Sequence, residues 1–189
     1  MALITSTENL IEPHGDVDPN TVYAAVGQAI HAWESLESAV ARLYLAFAGI
    51  PEGLDKLAAY GAANRRFVSR MAATRSTALV YFSKNPDQEM EGRLARLLEQ
   101  TEELSIERHR IAHGHIVPIA IVEVPANADG SFVVEAQAQY RWAVPFYSLQ
   151  NLRAQPSGLA SRDINLRRDQ FMAQHIAIHE FTAALAPRS

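Results

Sequence analysis

Arg108, His109 and His113 are the side chains in this sequence best suited to chemistry on a phosphate. Histidine can move a proton near neutral pH, and an arginine close by along the helix supplies a fixed positive charge. Proton transfer by one group and charge stabilisation by another are what cleavage of a phosphodiester requires. A histidine that only caps a helix end is the alternative interpretation of His113. Residues 108–113 are therefore a candidate catalytic or phosphate-binding segment.

Arg108 occupies an unusual position in its predicted helix. Between about residues 87 and 112, apolar residues recur at steps of three and four, which is the period of one helix face. The members of that face are Met90, Leu94, Leu97, Thr101, Leu104, Arg108 and Ile111. A buried guanidinium is costly without a partner, so Arg108 is expected to meet a carboxylate, a phosphate or water. Glu37 in the first predicted helix could orient it, although a solvated glutamate is the simpler interpretation of Glu37.

A basic stretch offers further contacts for phosphate. Residues 56–86 contain six cations and no acidic residue, although the whole chain has a net charge of −4. Such local asymmetry can present one basic face to a nucleic acid. The arginines predicted to contact RNA are Arg65, Arg66, Arg70 and Arg110. A cationic helix that packs against an acidic one is an equal alternative.

The residue types also restrict metals and cofactors. The chain has no cysteine, which excludes disulfides, cysteine zinc sites and thiol catalysis. His175 and His179 are one helical turn apart, a spacing that can chelate a metal ion. No carboxylate completes a known metalloenzyme pattern, so a histidine pair without metal is favoured. We expect no metal site and no cofactor.

The start of the chain and its hydropathy bear on localisation. Met1–Ser6 lack a basic segment followed by a long apolar run, so no signal peptide is expected. No stretch reaches the roughly 18 uncharged apolar residues that a membrane helix needs. These patterns predict a soluble cytoplasmic protein with no membrane partner.

Four helices are predicted to position the candidate residues. Asp18-Pro19 supplies an N-cap followed by proline at the first helical position, and an apolar face from Val22 to Phe47 predicts a long first helix. Gly49 and its neighbours end this helix. The other predicted helices span about residues 54–84, with interruptions at Gly61 and Asn64, then about 87–112, ended by Gly114, and about 162–186.

The period changes to two between the third and last predicted helices. Residues 115–124 are β-branched and apolar, and residues 132–144 alternate between apolar and polar side chains beyond a turn signal at 127–130. This pattern predicts a β-hairpin over about 115–144, with Pro118 in an edge strand. Residues 1–17 have no sustained period and are expected to be a flexible N-terminal arm. The expected fold is therefore mainly α. It is an up-and-down helical bundle in a single domain, residues 18–189, with the β-hairpin inserted between the third long helix and the C-terminal helix.

The motif segment resembles the Rx4-6H signature of the HEPN family (higher eukaryotes and prokaryotes nucleotide-binding domain). The matching residues are Arg108, His109 and His113, in a helix that closes with Gly114. The first helix, with its segment Trp33-Glu34-Ser35-Leu36-Glu37, looks similar as well. The permitted range of four to six intervening residues is also met by Arg108 with His115, Arg110 with His115, and Arg168 with His175. Only the pair Arg108 and His113 combines a polar residue after the arginine, a helix end and a glycine.

The resemblance implies a HEPN-like homodimer in which two motifs face each other across a cleft. Catalytic members are metal-independent endoribonucleases. Their histidine assists attack by the ribose 2′-hydroxyl, their arginine stabilises the phosphate, and a 2′,3′-cyclic end results. Many members are toxins or phage-defence proteins that work with an antitoxin or defence partner.

This sequence departs from the family pattern in three places. His109 stands where asparagine or aspartate is common, and no tyrosine follows His113, which makes a nucleotidyltransferase antitoxin less expected. A hairpin after the motif is not a general feature of the family. Two hypotheses follow. One is a metal-independent endoribonuclease, and the other is a non-catalytic helical dimer that acts as an interaction or nucleotide/RNA-binding module.

Overall fold

The computed structural model describes residues 15–123, 137–143 and 158–185, and this part of the chain is mainly helical, as the sequence predicts. Its elements in chain order are α1 (Pro19–Ala48), α2 (Leu54–Ala63), α3 (Phe67–Lys84), α4 (Gln88–His113), β1 (Val117–Glu123), β2 (Gln137–Ala143) and α5 (Ser161–Ala184). The predicted arm up to residue 14 and the predicted turn at 127–130 lie outside the described residues. None of the described helices is long and apolar enough to cross a membrane.

The chain divides into two compact units, which are described separately. One comprises residues 1–27 and 110–165, and the other comprises residues 28–109 and 166–189. The boundaries fall within α1, α4 and α5, so each of these helices contributes residues to both units.

Helix α1 begins and ends as its local sequence predicts. The backbone N–H of Asn20 donates to the Asp18 carboxylate at 3.0 Å, so Asp18 is the N-cap. Gly49 adopts φ +65°, and the N–H of Ile50 donates to the carbonyl of Leu45 at 3.0 Å, which is the Schellman arrangement. The predicted apolar face is confirmed in its buried members, which are Val22, Ala29, Trp33, Leu36, Val40, Leu43 and Phe47.

The single helix predicted over about 54–84 is corrected to two helices. α2 ends at Asn64, whose backbone N–H and side-chain amide donate to the carbonyl of Tyr60 at 2.9 and 3.1 Å. Asparagine competes in this way for helical hydrogen bonds, and Gly61 weakens the preceding turn. Val68, which a continuous helix would turn inward, is 76% exposed. Because the turn at residues 64–66 interrupts the helical period, the buried face of α3 differs from the one that a continuous helix would have.

The division also changes the direction of the chain. The rings of Trp33 and Phe67 lie 5.2 Å apart, and those of Phe47 and Tyr81 lie 5.3 Å apart, measured between centroids. Since residue numbers increase together along both helices, α3 runs parallel to α1. An uninterrupted second helix in the predicted up-and-down order would have run antiparallel.

Helices α4 and α5 pack in opposite directions in the unit of residues 28–109 and 166–189. The Gln174 side chain donates to the Leu97 carbonyl at 2.7 Å and to the Thr101 hydroxyl at 3.0 Å. Further along, Arg167 forms an ion pair with Glu107 at 3.2 Å. Gln174 and Thr101 are buried, and buried polar groups need hydrogen-bond partners. These two side chains bond to each other and to the backbone.

In the other unit, strands β1 and β2 pair in antiparallel fashion with Pro118 opposite Trp142. The N–H and C=O of Trp142 point away from β1 and bond to the backbone of Asp16 at 2.7 and 2.8 Å. Pro118 therefore stands at a position where the ladder needs no N–H. The predicted hairpin is described only at these two strands, because residues 124–136 between them lie outside the described residues.

Asp16 also caps α5, although the sequence places it in the predicted arm. Its carboxylate accepts hydrogen bonds from the Ser161 backbone N–H at 2.7 Å and from the Ser161 hydroxyl at 2.6 Å. A carboxylate at a helix N-terminus satisfies an otherwise unpaired N–H group.

Replacing Asp16 with alanine is expected to lower the free energy of unfolding by about 1 to 2 kcal/mol, the range found for lost helix caps. Hydrogen exchange should accelerate in the first turn of α5, residues 161–164. Asp16→Asn keeps one carbonyl oxygen and is the matched control, with a smaller loss. Unchanged exchange in Asp16→Ala would contradict this role.

Candidate functional site

Arg108 lies near the end of α4 with its side chain 32% exposed. Its Nε is buried and has no hydrogen-bond partner among the described residues. The nearest carboxylate to its guanidinium is that of Glu34, at 4.0 Å from the terminal nitrogen, and Glu34 is 58% exposed. An ion pair this long and this exposed contributes little to stability. Arg108 therefore retains donor capacity that the described part of the chain leaves unused.

The helical period of α4 explains this position. Leu104 and Ile111, one turn before and after Arg108, are both buried. The same face therefore buries the aliphatic stem of Arg108, while its terminal nitrogens reach the surface. A buried donor without a partner costs about 1 to 3 kcal/mol, which an anion bound at the guanidinium could offset in part.

His109 and His113 are both exposed, and α4 continues to His113, one residue beyond the predicted end. Helix geometry places the two histidines about 6 Å apart along one side of α4. Arg108 precedes His109 directly, at about 100° around the helix axis. The three predicted residues thus share the last turns of one helix.

The Glu37 carboxylate, which the sequence suggests could orient Arg108, contacts Trp33 and Arg70 in the structure. One of its carboxylate oxygens accepts the indole N–H of Trp33 at 2.9 Å, and the other accepts from the guanidinium of Arg70. Arg70 also donates from Nε to the Asn64 carbonyl at 2.9 Å. The side chains of Glu37 and Arg70 are only 14% and 23% exposed. In the structure Arg70, which the sequence predicts to contact RNA, joins α1 to α3 and to the end of α2.

Tyr60 and Thr74 extend this polar cluster into the core. The Tyr60 hydroxyl donates to the Arg70 carbonyl at 3.1 Å and lies 3.4 Å from the Thr74 hydroxyl. Burial raises the pKa of the Tyr60 phenol, so this side chain remains a neutral hydrogen-bond donor at physiological pH. The sequence analysis missed these two residues, because a tyrosine and a threonine in separate helices carry no pattern that links them.

The other basic residues fall into two groups. Arg65 and Arg66 are exposed in the turn between α2 and α3, and Arg110 is exposed on α4. Arg75 pairs with Glu102 on α4 at 2.7 Å, which is the cation-against-acid packing that the sequence left open. Exposure leaves Arg65, Arg66 and Arg110 compatible with contacts to a nucleic acid.

The second histidine pair lies on α5. His175 is half-buried and its Nδ1 is 2.9 Å from the Ser35 carbonyl, whereas His179 is exposed. Among the described residues, no group of three or more His, Asp or Glu side chains is arranged to hold a metal ion.

In comparisons with known proteins, no family model, no curated protein and no solved structure matched the chain. The geometry itself defines a mainly helical protein with an arginine–histidine segment at the end of α4.

Proposed function

We propose that this chain is a HEPN-like protein that acts as a metal-independent endoribonuclease of the toxin or phage-defence type. One observation carries the proposal: the guanidinium of Arg108, beside His109 on the last turns of α4, has a buried Nε without a partner and only a long contact to Glu34. A cation with unused donors next to histidines suits a phosphate that must be held while protons move.

The proposed roles follow from the chemistry of the side chains. Arg108 donates hydrogen bonds to the nonbridging oxygens of the phosphate, whose negative charge grows during attack. His113, with His109 one turn before it, takes the proton from the ribose 2′-hydroxyl as that oxygen bonds to phosphorus. The bond to the 5′-oxygen breaks, and this oxygen leaves with a proton supplied by a protonated histidine. The products are a 2′,3′-cyclic phosphate and a 5′-hydroxyl.

In this proposal the working form is a cytoplasmic homodimer in which a second copy supplies a second motif. Arg65, Arg66 and Arg110 are exposed cations that would contact the RNA backbone. The fold would be a HEPN-like bundle with a hairpin inserted before α5, and an antitoxin or defence protein would be its partner.

We expect the purified protein to cleave RNA in the presence of EDTA and to leave 2′,3′-cyclic phosphate ends. The reason is that the proposed reaction uses only arginine and histidine side chains. The fragments are separated on denaturing gels and treated with alkaline phosphatase before and after mild acid. A 2′,3′-cyclic phosphate resists the phosphatase until acid has opened the ring. Cleavage that disappears in EDTA and returns with zinc or manganese would contradict the mechanism.

The alternative is a non-catalytic helical module that acts by interaction. An apolar groove of about 290 Å³ between α3 and α4 favours it. The groove is lined by Arg75, Ala78, Leu79, Phe82, Glu91, Leu94, Ala95 and Leu98. Leu79 is largely exposed in this groove, and exposed apolar surface often marks a site where another protein binds. The RNA assay separates the two functions, since only the enzyme produces cyclic ends.

A further inference from the structure

The backbone contact of His175 selects one tautomer of its neutral ring. Its Nδ1 lies 2.9 Å from the carbonyl oxygen of Ser35, and a carbonyl oxygen can only accept a hydrogen bond. Nδ1 must therefore carry the hydrogen, and in the neutral ring the lone pair lies on Nε2. Metal-binding histidines are commonly oriented by this kind of N–H to carbonyl hydrogen bond.

His179 follows His175 by one turn of α5 and lies on the same side of that helix. His175 contacts α1 through Ser35, and His179 lines a cavity of about 270 Å³ whose wall includes Ala39 and Arg42 of α1. Both rings thus border α1, with their β-carbons about 5 to 6 Å apart. His179 is exposed and makes no hydrogen bond within the described residues.

We propose that His175 and His179 bind a divalent late transition-metal ion, of the zinc, nickel or copper class, on the surface of α5. The spacing and the carbonyl that orients His175 are separate observations, and both point to imidazole ligation. With only two protein ligands, water molecules complete the coordination. Such a site selects against Mg²⁺ and Ca²⁺, which prefer oxygen ligands.

The charged neighbours of this pair allow a cation to bind. Arg42 lines the same cavity as His179, but its Nε is paired with the Glu52 carboxylate at 2.6 Å. Glu52 lines the cavity as well, so its negative charge offsets that of Arg42. The proposed site is separate from the motif of α4, and its test does not depend on RNA cleavage.

The experiment is calorimetric titration of untagged full-length protein with Ni²⁺, Zn²⁺ and Cu²⁺, with Mg²⁺ as the negative control. We expect saturable binding near one ion per chain, tightest for Cu²⁺, as the order of affinities for nitrogen ligands predicts. His175→Ala and His179→Ala should each weaken binding at least about tenfold. His179 is exposed, so its variant keeps the fold even if loss of the Ser35 contact destabilises His175→Ala.

His115→Ala is the control, because it removes an exposed histidine that lies outside α5 and has no histidine partner four residues away. It should bind metal as the wild type does. The proposal is overturned if the wild type shows no saturable binding of Cu²⁺ or Ni²⁺, if His179→Ala binds unchanged, or if only His115→Ala loses binding.

Discussion

Replacing Arg108 with alanine is expected to lower RNA cleavage by about 10²- to 10³-fold while the protein remains folded. The guanidinium is proposed to stabilise the charge that develops on the phosphate, and no described residue offers a substitute at the same position. His113→Ala should cost at least about 10²-fold, because it removes a proton-transfer group.

The structure also predicts that Arg108→Ala changes stability little. The variant loses only a long, exposed contact to Glu34, worth at most about 1 kcal/mol, and it removes an unpaired buried Nε. Some packing of the aliphatic stem is lost in exchange. Initial rates of cleavage and thermal unfolding, measured on the same preparations, test both statements.

Arg96→Ala is the matched control, since Arg96 is an exposed arginine on the same helix. It should cleave RNA at the wild-type rate. Equal activity of Arg108→Ala and Arg96→Ala would remove Arg108 from the proposed site. A large fall in melting temperature for Arg108→Ala, with no activity to lose, would favour the non-catalytic alternative.

The largest expected effect on stability belongs to the Glu37–Arg70 pair. Glu37→Ala or Arg70→Ala should each lower the free energy of unfolding by about 3 to 5 kcal/mol, because each leaves a largely buried charge without its partner. Glu37→Ala also leaves the Trp33 indole N–H without its acceptor. Urea denaturation followed by tryptophan fluorescence is the measurement.

Two comparisons make this test specific. The double variant Glu37→Ala/Arg70→Ala should lose less than the sum of the single losses, since it strands no charge. Arg75→Ala removes the exposed pair with Glu102 from the same helix and should cost at most about 1 kcal/mol. Similar losses for Arg70→Ala and Arg75→Ala would show that burial does not strengthen the first pair.

The order and extent of most helices could be predicted from local patterns. Asp18-Pro19 and Gly49 delimit α1, and the apolar period of α4 places Arg108 between the buried Leu104 and Ile111. These features depend on interactions between residues that are close in the chain. The residue types and their spacing, which the sequence shows directly, are therefore enough to predict them. The location of the candidate residues on the last turns of α4 was therefore predictable.

The sequence did not predict that the second helix divides at residues 64–66. It showed only that Gly61 and Asn64 weaken the helix there. Whether such residues bend, fray or end a helix depends on what the following segment packs against. In the structure, Arg70 donates to the carbonyl of Asn64, a contact that holds the helix end and the start of α3 together.

What the sequence by itself determined is the helical content, the bounds of α1, α4 and α5, and the candidate segment 108–113. Only the tertiary structure decided the partners of the charged residues: Glu34 beside Arg108, Glu37 with Arg70, and Asp16 on Ser161. The physical reason is range. Helical periodicity follows from neighbours within a turn, whereas an ion pair across helices depends on the direction and rotation of each helix, which the packing of the core sets.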